Sequence, residues 1–297
     1  MASETASAVP RLLYEDGFEG WDISMATVWT DYVILVVGLL CAGLVYKGYK
    51  DTWQSLEAVS ASFVLFSLCE GICYGFGGVS HHMLASYFQD GAVMSKSWGE
   101  GSWEWMITWV LAMVFGPLAT AFGFGMALSY AEVGVGCIRF TKVLGCLVTA
   151  WEVAMCIVSI DKSGTIALFW SLFSAAVSLG VIFRNGAQVG GIWLVAAGWL
   201  SRIAAYLLVL TVPPACKGGE TVAIETDSGT LYRNVPGECM YSRDFNHNAI
   251  FHVLIALSLV FIFIGVDTKL SKEREAAYMS MMRNSYEKTG SARCCGV

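Results

Sequence analysis

The four histidines of this 297-residue chain fall at two places, His81 with His82 and His247 with His252. An imidazole can bind a metal or exchange a proton near neutral pH, so these are the first residues to ask about chemistry. Three histidines, or two and a carboxylate such as Glu104, with one position open to water, make the donor set of a hydrolytic zinc site. The metal would polarise an acyl carbonyl and bring the pKa of its bound water to about 7. Spacing limits this reading. Residues four apart on a helix are separated by about 40° around its axis, and residues five apart by about 140°. His247 and His252 are five apart, so one ion takes both only if the turn between them unwinds or tilts. Histidines also sit at membrane boundaries simply because their rings are amphipathic, and both readings stand at this level.

The elements that must position these residues follow from composition. Apolar residues make up 56% of the chain and charged residues 14%, with a mean hydropathy of +0.59. Soluble domains carry roughly 25% charged residues, enough to coat a surface facing water. This chain cannot do so, and its net charge of −6 without a basic stripe excludes a nucleic-acid binder. Runs at 31–47, 56–80, 103–128, 143–160, 165–183, 187–212 and 248–266 are each long enough, or nearly so, for a bilayer core of about 30 Å, which takes about 20 residues of helix. Only Asp161-Lys162-Ser163-Gly164 separates the fourth run from the fifth. A single helix across both would overshoot any bilayer. The runs are continuously apolar rather than alternating, so the expected fold is all-α, a polytopic membrane protein with seven transmembrane helices.

Orientation is read from Lys and Arg. With the N-terminus outside, the inner face holds Lys47, Lys50, Arg139, Lys142 and Arg184, and the outer face Arg11, Lys96, Lys162, Lys217, Arg233 and Arg243. These nearly balance, and the basic tail tips the reading to an outer N-terminus and a cytoplasmic C-terminus. The expected organisation is an outer segment 1–30, a membrane domain 31–266 with an outer loop 213–247, and a basic cytoplasmic tail 267–297. The start of the chain lacks the basic and apolar regions of a cleavable signal, so the first span is expected to serve as the targeting signal. The protein is then expected in an endomembrane (ER or Golgi) or the plasma membrane. In this topology all four histidines, and Glu104 at the start of the third span, lie at the outer boundary.

Of ten cysteines, Cys41, Cys69, Cys73, Cys146 and Cys156 lie in spans and Cys137 near an inner end, where they are expected to pack as small apolar groups. Cys216 and Cys239 share the outer loop, and a bridge between them would contribute about 3 kcal/mol by the loop-entropy model. Two unpaired thiols are the alternative. Cys294 and Cys295 end the tail as candidates for palmitoylation. Gly71 with Gly75, and Gly186 with Gly190, are spaced for close helix contact. Trp98, Trp103, Trp105 and Trp109 read as an interfacial belt. Glu70, Glu152 and Arg202 fall inside spans, where each costs about 2.5–3.5 kcal/mol or more unless turned into the bundle. A Glu70–Arg202 or Glu152–Arg202 pair would reduce that cost. Such charges serve either a proton or ion path, or a polar floor under a lipid pocket, or an interhelical clamp. The run 248–266 holds no lysine for a Schiff base, which argues against a retinal protein.

Two segments carry a resemblance. Asn248-Ala249-Ile250-Phe251-His252-Val253-Leu254 resembles the His-x-x-x-His pattern that opens the last helix of the CREST superfamily, which includes alkaline ceramidases and adiponectin/progestin-type receptors. Gly75-Phe76-Gly77-Gly78-Val79-Ser80-His81-His82 is similar to the Gly-x-Gly-Ser-x-x-x-His stretch of their second helix. The resemblance implies a zinc-dependent hydrolase of a lipid amide or ester, with His82 and His252 as zinc ligands and Glu104 as the base. The chain departs from the pattern twice. Gly78 stands where the family has serine, with Ser80 as the substitute, and Asn248 stands where the first histidine belongs, with His247 beside it. These departures leave open a non-catalytic receptor or an accessory subunit of a membrane protein complex, and the buried charges leave open a transporter. Membrane lipids are the expected partners.

Overall fold

A computed structural model describes residues 13–14, 25–50, 58–89, 93–94, 103–158, 163–185, 191–211, 220–226, 229–235 and 247–294. Seven helices cross the described chain: α1 (Met25–Tyr49), α2 (Val59–Gln89), α3 (Trp103–Tyr130), α4 (Val135–Val158), α5 (Thr165–Asn185), α6 (Ile192–Thr211) and α7 (His247–Cys294). Each is long and apolar enough to span a membrane. The fourth and fifth spans are indeed separate helices. Cys216, Cys239, Gly186, Gly190 and Cys295 lie outside the described residues, as does the side chain of Cys294.

Four short strands, β1 (Leu13–Tyr14), β2 (Val93–Met94), β3 (Glu220–Thr226) and β4 (Gly229–Val235), form one sheet in the order β2-β1-β4-β3. The strands come from the segment before α1, the α2–α3 connection and the α6–α7 connection. The topology read from hydropathy puts these three segments on one side of the bilayer, and the sheet joins them. We call this the sheet end of the bundle and the opposite one the tail end.

Helices α1, α2, α3, α5, α6 and α7 pack in sequence around a ring that closes between α7 and α1, while α4 packs chiefly on α3 and only lightly on α5. Burial follows this order. On α1 the buried residues Thr27, Asp31, Ile34, Gly38, Cys41, Ala42, Val45 and Tyr49 recur at three- and four-residue steps, the stripe of a helix with one face in the core. Leu39, Leu40 and Leu44 face outward and are exposed. Lipid solvates them as well as a core would, so exposure costs nothing there.

Glycine sets two of the contacts. A Cβ at Gly71 would stand 3.1 Å from the Leu35 carbonyl, which lets α2 press on α1 as the Gly71/Gly75 spacing predicts. A Cβ at Gly198 would stand 2.8 Å from the Ser258 carbonyl, so α6 and α7 meet backbone to backbone at a place the sequence reading did not single out.

The intramembrane charges separate into two devices. Arg202 pairs with Glu70 through Nη2 and donates through Nη1 to the Tyr206 hydroxyl at 3.1 Å. Its guanidinium also lies 5.0 Å from the Phe66 ring centroid, a cation–π contact made where water is absent. Both charges are buried, and the pair clamps α2 to α6 across the ring.

Glu152 does not join them. Its two carboxylate oxygens accept hydrogen bonds from the Gly164 and Ala167 backbone N–H groups at 2.6 and 2.7 Å. These are open donors at the start of α5, and a carboxylate there also meets the positive end of the helix dipole. A residue of α4 thus caps the next helix and sets the angle of the α4–α5 turn. Glu152→Ala is expected to cost about 1–3 kcal/mol by leaving buried donors unmet. A lowered thermal midpoint in detergent, partly restored in Glu152→Gln, is the readout; an unchanged midpoint refutes the cap.

At the tail end Lys269, also buried, donates to the Tyr130 carbonyl at 3.3 Å and lies 3.3 Å from Glu273. It therefore caps the C-terminus of α3. Beyond it α7 runs on to Cys294. At 1.5 Å per residue the whole helix is about 72 Å long, more than twice the hydrocarbon core.

Candidate functional site

The polar residues of the sheet end gather on α1, α2, α3 and α7. The centre of the group is His252, on the second turn of α7, facing α1. Its Nδ1 lies 3.3 Å from Asp31 Oδ1 and 3.1 Å from Thr30 Oγ1. Asp31 and His252 are both buried, at 1% and 4% exposure. A carboxylate is seldom so enclosed unless something in the enclosure holds it.

The hydroxyl of Thr30 bears on which ring nitrogen carries the proton. Thr30 Oγ1 donates to the Ala26 or Thr27 carbonyl, 2.8 and 2.9 Å away within its own helix. A hydroxyl has one proton to give; with that proton on either carbonyl, Oγ1 turns a lone pair toward His252. A carboxylate at Asp31, when ionised, is likewise an acceptor. That arrangement favours Nδ1 as the donor and Nε2 as the basic nitrogen. Tyr74 of α2 stands edge-on to the imidazole with ring centroids 5.2 Å apart, and Phe251 lies at the same centroid distance. These contacts leave the ring little freedom to turn.

The approach of α1 to α2 at this level depends on Gly78. A Cβ there would fall 2.9 Å from Asp31 Cβ and 3.1 Å from the Tyr32 ring. Gly78 is thus the residue that makes room for Asp31. Ser80 donates to the Trp105 carbonyl across to α3, at 3.4 Å, and fastens two helices together. Trp105 is wholly buried rather than part of an interfacial belt, because it sits under that contact. Trp109 donates to Ser163 Oγ at 2.8 Å in the α4–α5 turn.

The two histidines of α2 point apart, as adjacent helical positions must. His81 is buried and stands edge-on to Trp109, with centroids 6.4 Å apart. His82 is exposed. His247 is buried, and Asn248 and Glu104 are half-buried. Among the described residues, no three of His, Cys, Asp and Glu stand close enough to hold a metal ion. What the fold does bring together is His252 with Asp31, the first residue of the first apolar run and one not singled out by its sequence context. A signal was present: Thr27, Asp31 and Ile34 are in step with the small and apolar residues of the buried face of α1.

No protein-family model matches the chain, and neither a curated protein nor a solved structure is detectably similar to it.

Proposed function

We propose that this integral membrane protein is a hydrolase of a lipid ester or amide, with His252 as its general base and Asp31 as the residue that orients it. The observation that carries this reading is the contact of His252 Nδ1 with Asp31 and Thr30. A buried carboxylate that holds one imidazole nitrogen as a donor leaves the other to accept the proton of an attacking water. As the tetrahedral intermediate forms, Asp31 stabilises the imidazolium, and the proton then passes to the leaving oxygen or nitrogen. Position supports the substrate class. The pair lies about five to six residues inside the sheet end of α1 and α7, about 8 Å deep, so it meets the acyl carbonyl of a lipid, just below the headgroup, rather than a water-soluble ester.

The test is turnover by the purified protein in lipid nanodiscs of a panel of N-acyl sphingoid amides and acylglycerol esters, with metal content measured on the same sample. Release of free fatty acid by the wild type supports the reading. No release from any member of the panel, by protein that melts cooperatively, overturns it. Bound zinc in the same sample would revive the metal-dependent form that the resemblance implies.

A second reading has one observation behind it. Beyond the bundle α7 exposes Tyr278, Met279, Met281, Met282 and Tyr286, an apolar surface suited to a partner, as an accessory subunit of a membrane complex would carry. A chain ending at Ser271 that keeps its assembly size in gentle detergent argues against that role.

A further inference from the structure

Helices α4 and α5 are tied at the sheet end by the Glu152 cap and part toward the tail end. Between them, over α3, lies a groove of about 670 Å3. Its walls include Phe124, Leu128, Phe140, Leu144, Phe173 and Val181, and Arg184 stands at its mouth. Phe140 and Phe173 are exposed on the outer surface of the bundle, so the groove opens to lipid and not into the ring. From Arg184 to Phe173 it follows eleven residues of α5, about 16 Å. That is about half of a 30 Å hydrocarbon core, the depth of one leaflet.

We infer that this groove is a binding site for one anionic phospholipid of the tail-side leaflet, with an acyl chain along α5 and the headgroup phosphate on Arg184. Charge at the mouth selects the occupant. Arg184 is exposed at the last turn of α5, and the N-terminus of the 24-residue α4 opens beside it with its positive dipole end. These groups meet a phosphate that carries net negative charge better than one balanced by its own choline. The apolar walls meet the chain. The site is remote from the Asp31–His252 pair, at the opposite end of the bundle, and does not depend on the activity proposed for that pair.

Native mass spectrometry of the delipidated full chain, titrated with phosphatidylglycerol and with phosphatidylcholine of identical chains, reads the preference directly. One phosphatidylglycerol is expected to bind about fivefold more tightly than phosphatidylcholine, the effect of one basic side chain near a membrane surface. Arg184→Gln removes that preference and leaves phosphatidylcholine binding as it was. Gly136 also lines the groove, and a Cβ there meets nothing within 4 Å. Gly136→Trp therefore fills the groove without disturbing the helix contacts and weakens both lipids alike. The inference is overturned by equal binding of the two lipids to the wild type, by a preference that survives Arg184→Gln, or by indifference of both lipids to Gly136→Trp. A dimer that dissociates on Gly136→Trp would assign the groove to a second copy of the chain and equally overturn it.

Discussion

Arg202→Ala is expected to destabilise the protein by about 3–5 kcal/mol, the cost of stranding one partner of a buried ion pair. The carboxylate of Glu70, itself buried, would be left inside the ring without its partner. Loss of the bond to Tyr206 and of the contact with Phe66 adds to this. Glu70→Ala should cost a similar amount, because it strands the guanidinium instead. The double substitution Glu70→Leu with Arg202→Met removes both charges together, and such replacements are often neutral or stabilising. The check is unfolding in a graded denaturing detergent for the two single variants and the double. Two damaging singles and a largely restored double establish the clamp. Singles within 1 kcal/mol of the wild type contradict it. The same series bears on transport: a carrier built on these charges would lose flux in the double variant while keeping its fold.

The second large effect is on chemistry. His252→Ala is expected to lower acyl hydrolysis by about 10²–10⁴-fold, the usual contribution of a general base. Asp31→Asn should fall in the same range although it changes one atom. An amide turned toward Nδ1 can donate, so the imidazole would take the opposite tautomer and lose the basic Nε2. Thr30→Val removes only the weaker partner of Nδ1 and is expected to cost less than tenfold. Initial rates with the best substrate of the panel give the ranking. If Asp31→Asn keeps wild-type turnover while His252→Ala abolishes it, the orienting role of Asp31 is wrong.

Much of the architecture was legible from hydropathy, since continuously apolar runs of this length, unlike the alternating ones of a barrel, satisfy their backbone in lipid as helices. Asp161-Lys162-Ser163-Gly164 divided two spans that length alone forbids merging. The order of packing was not legible. Nothing in the apolar runs tells that α4 lies outside the ring, and this decides that Glu152 caps α5 while Glu70 meets Arg202. At the site, periodicity was the better guide. His81 follows Gly77 and Gly78 by four and three residues and shares their buried face, whereas His82 is turned outward by its extra 100°. The CREST-like pattern gave His252 as a zinc ligand, and in the structure His252 contacts Asp31 and Thr30. It could not point to Asp31, because a carboxylate at the start of an apolar run reads as the end of a helix until the partner that encloses it is known.

The account turns on the protonation of one ring. Nitrogen chemical shifts of the protein labelled with [15N]histidine, assigned to residue 252 by comparison with His252→Gln, report it without need of a substrate. The prediction is a protonated Nδ1 and a bare Nε2 at neutral pH, reversed in Asp31→Asn. A protonated Nε2 in the wild type, as either the other tautomer or the imidazolium, would contradict it.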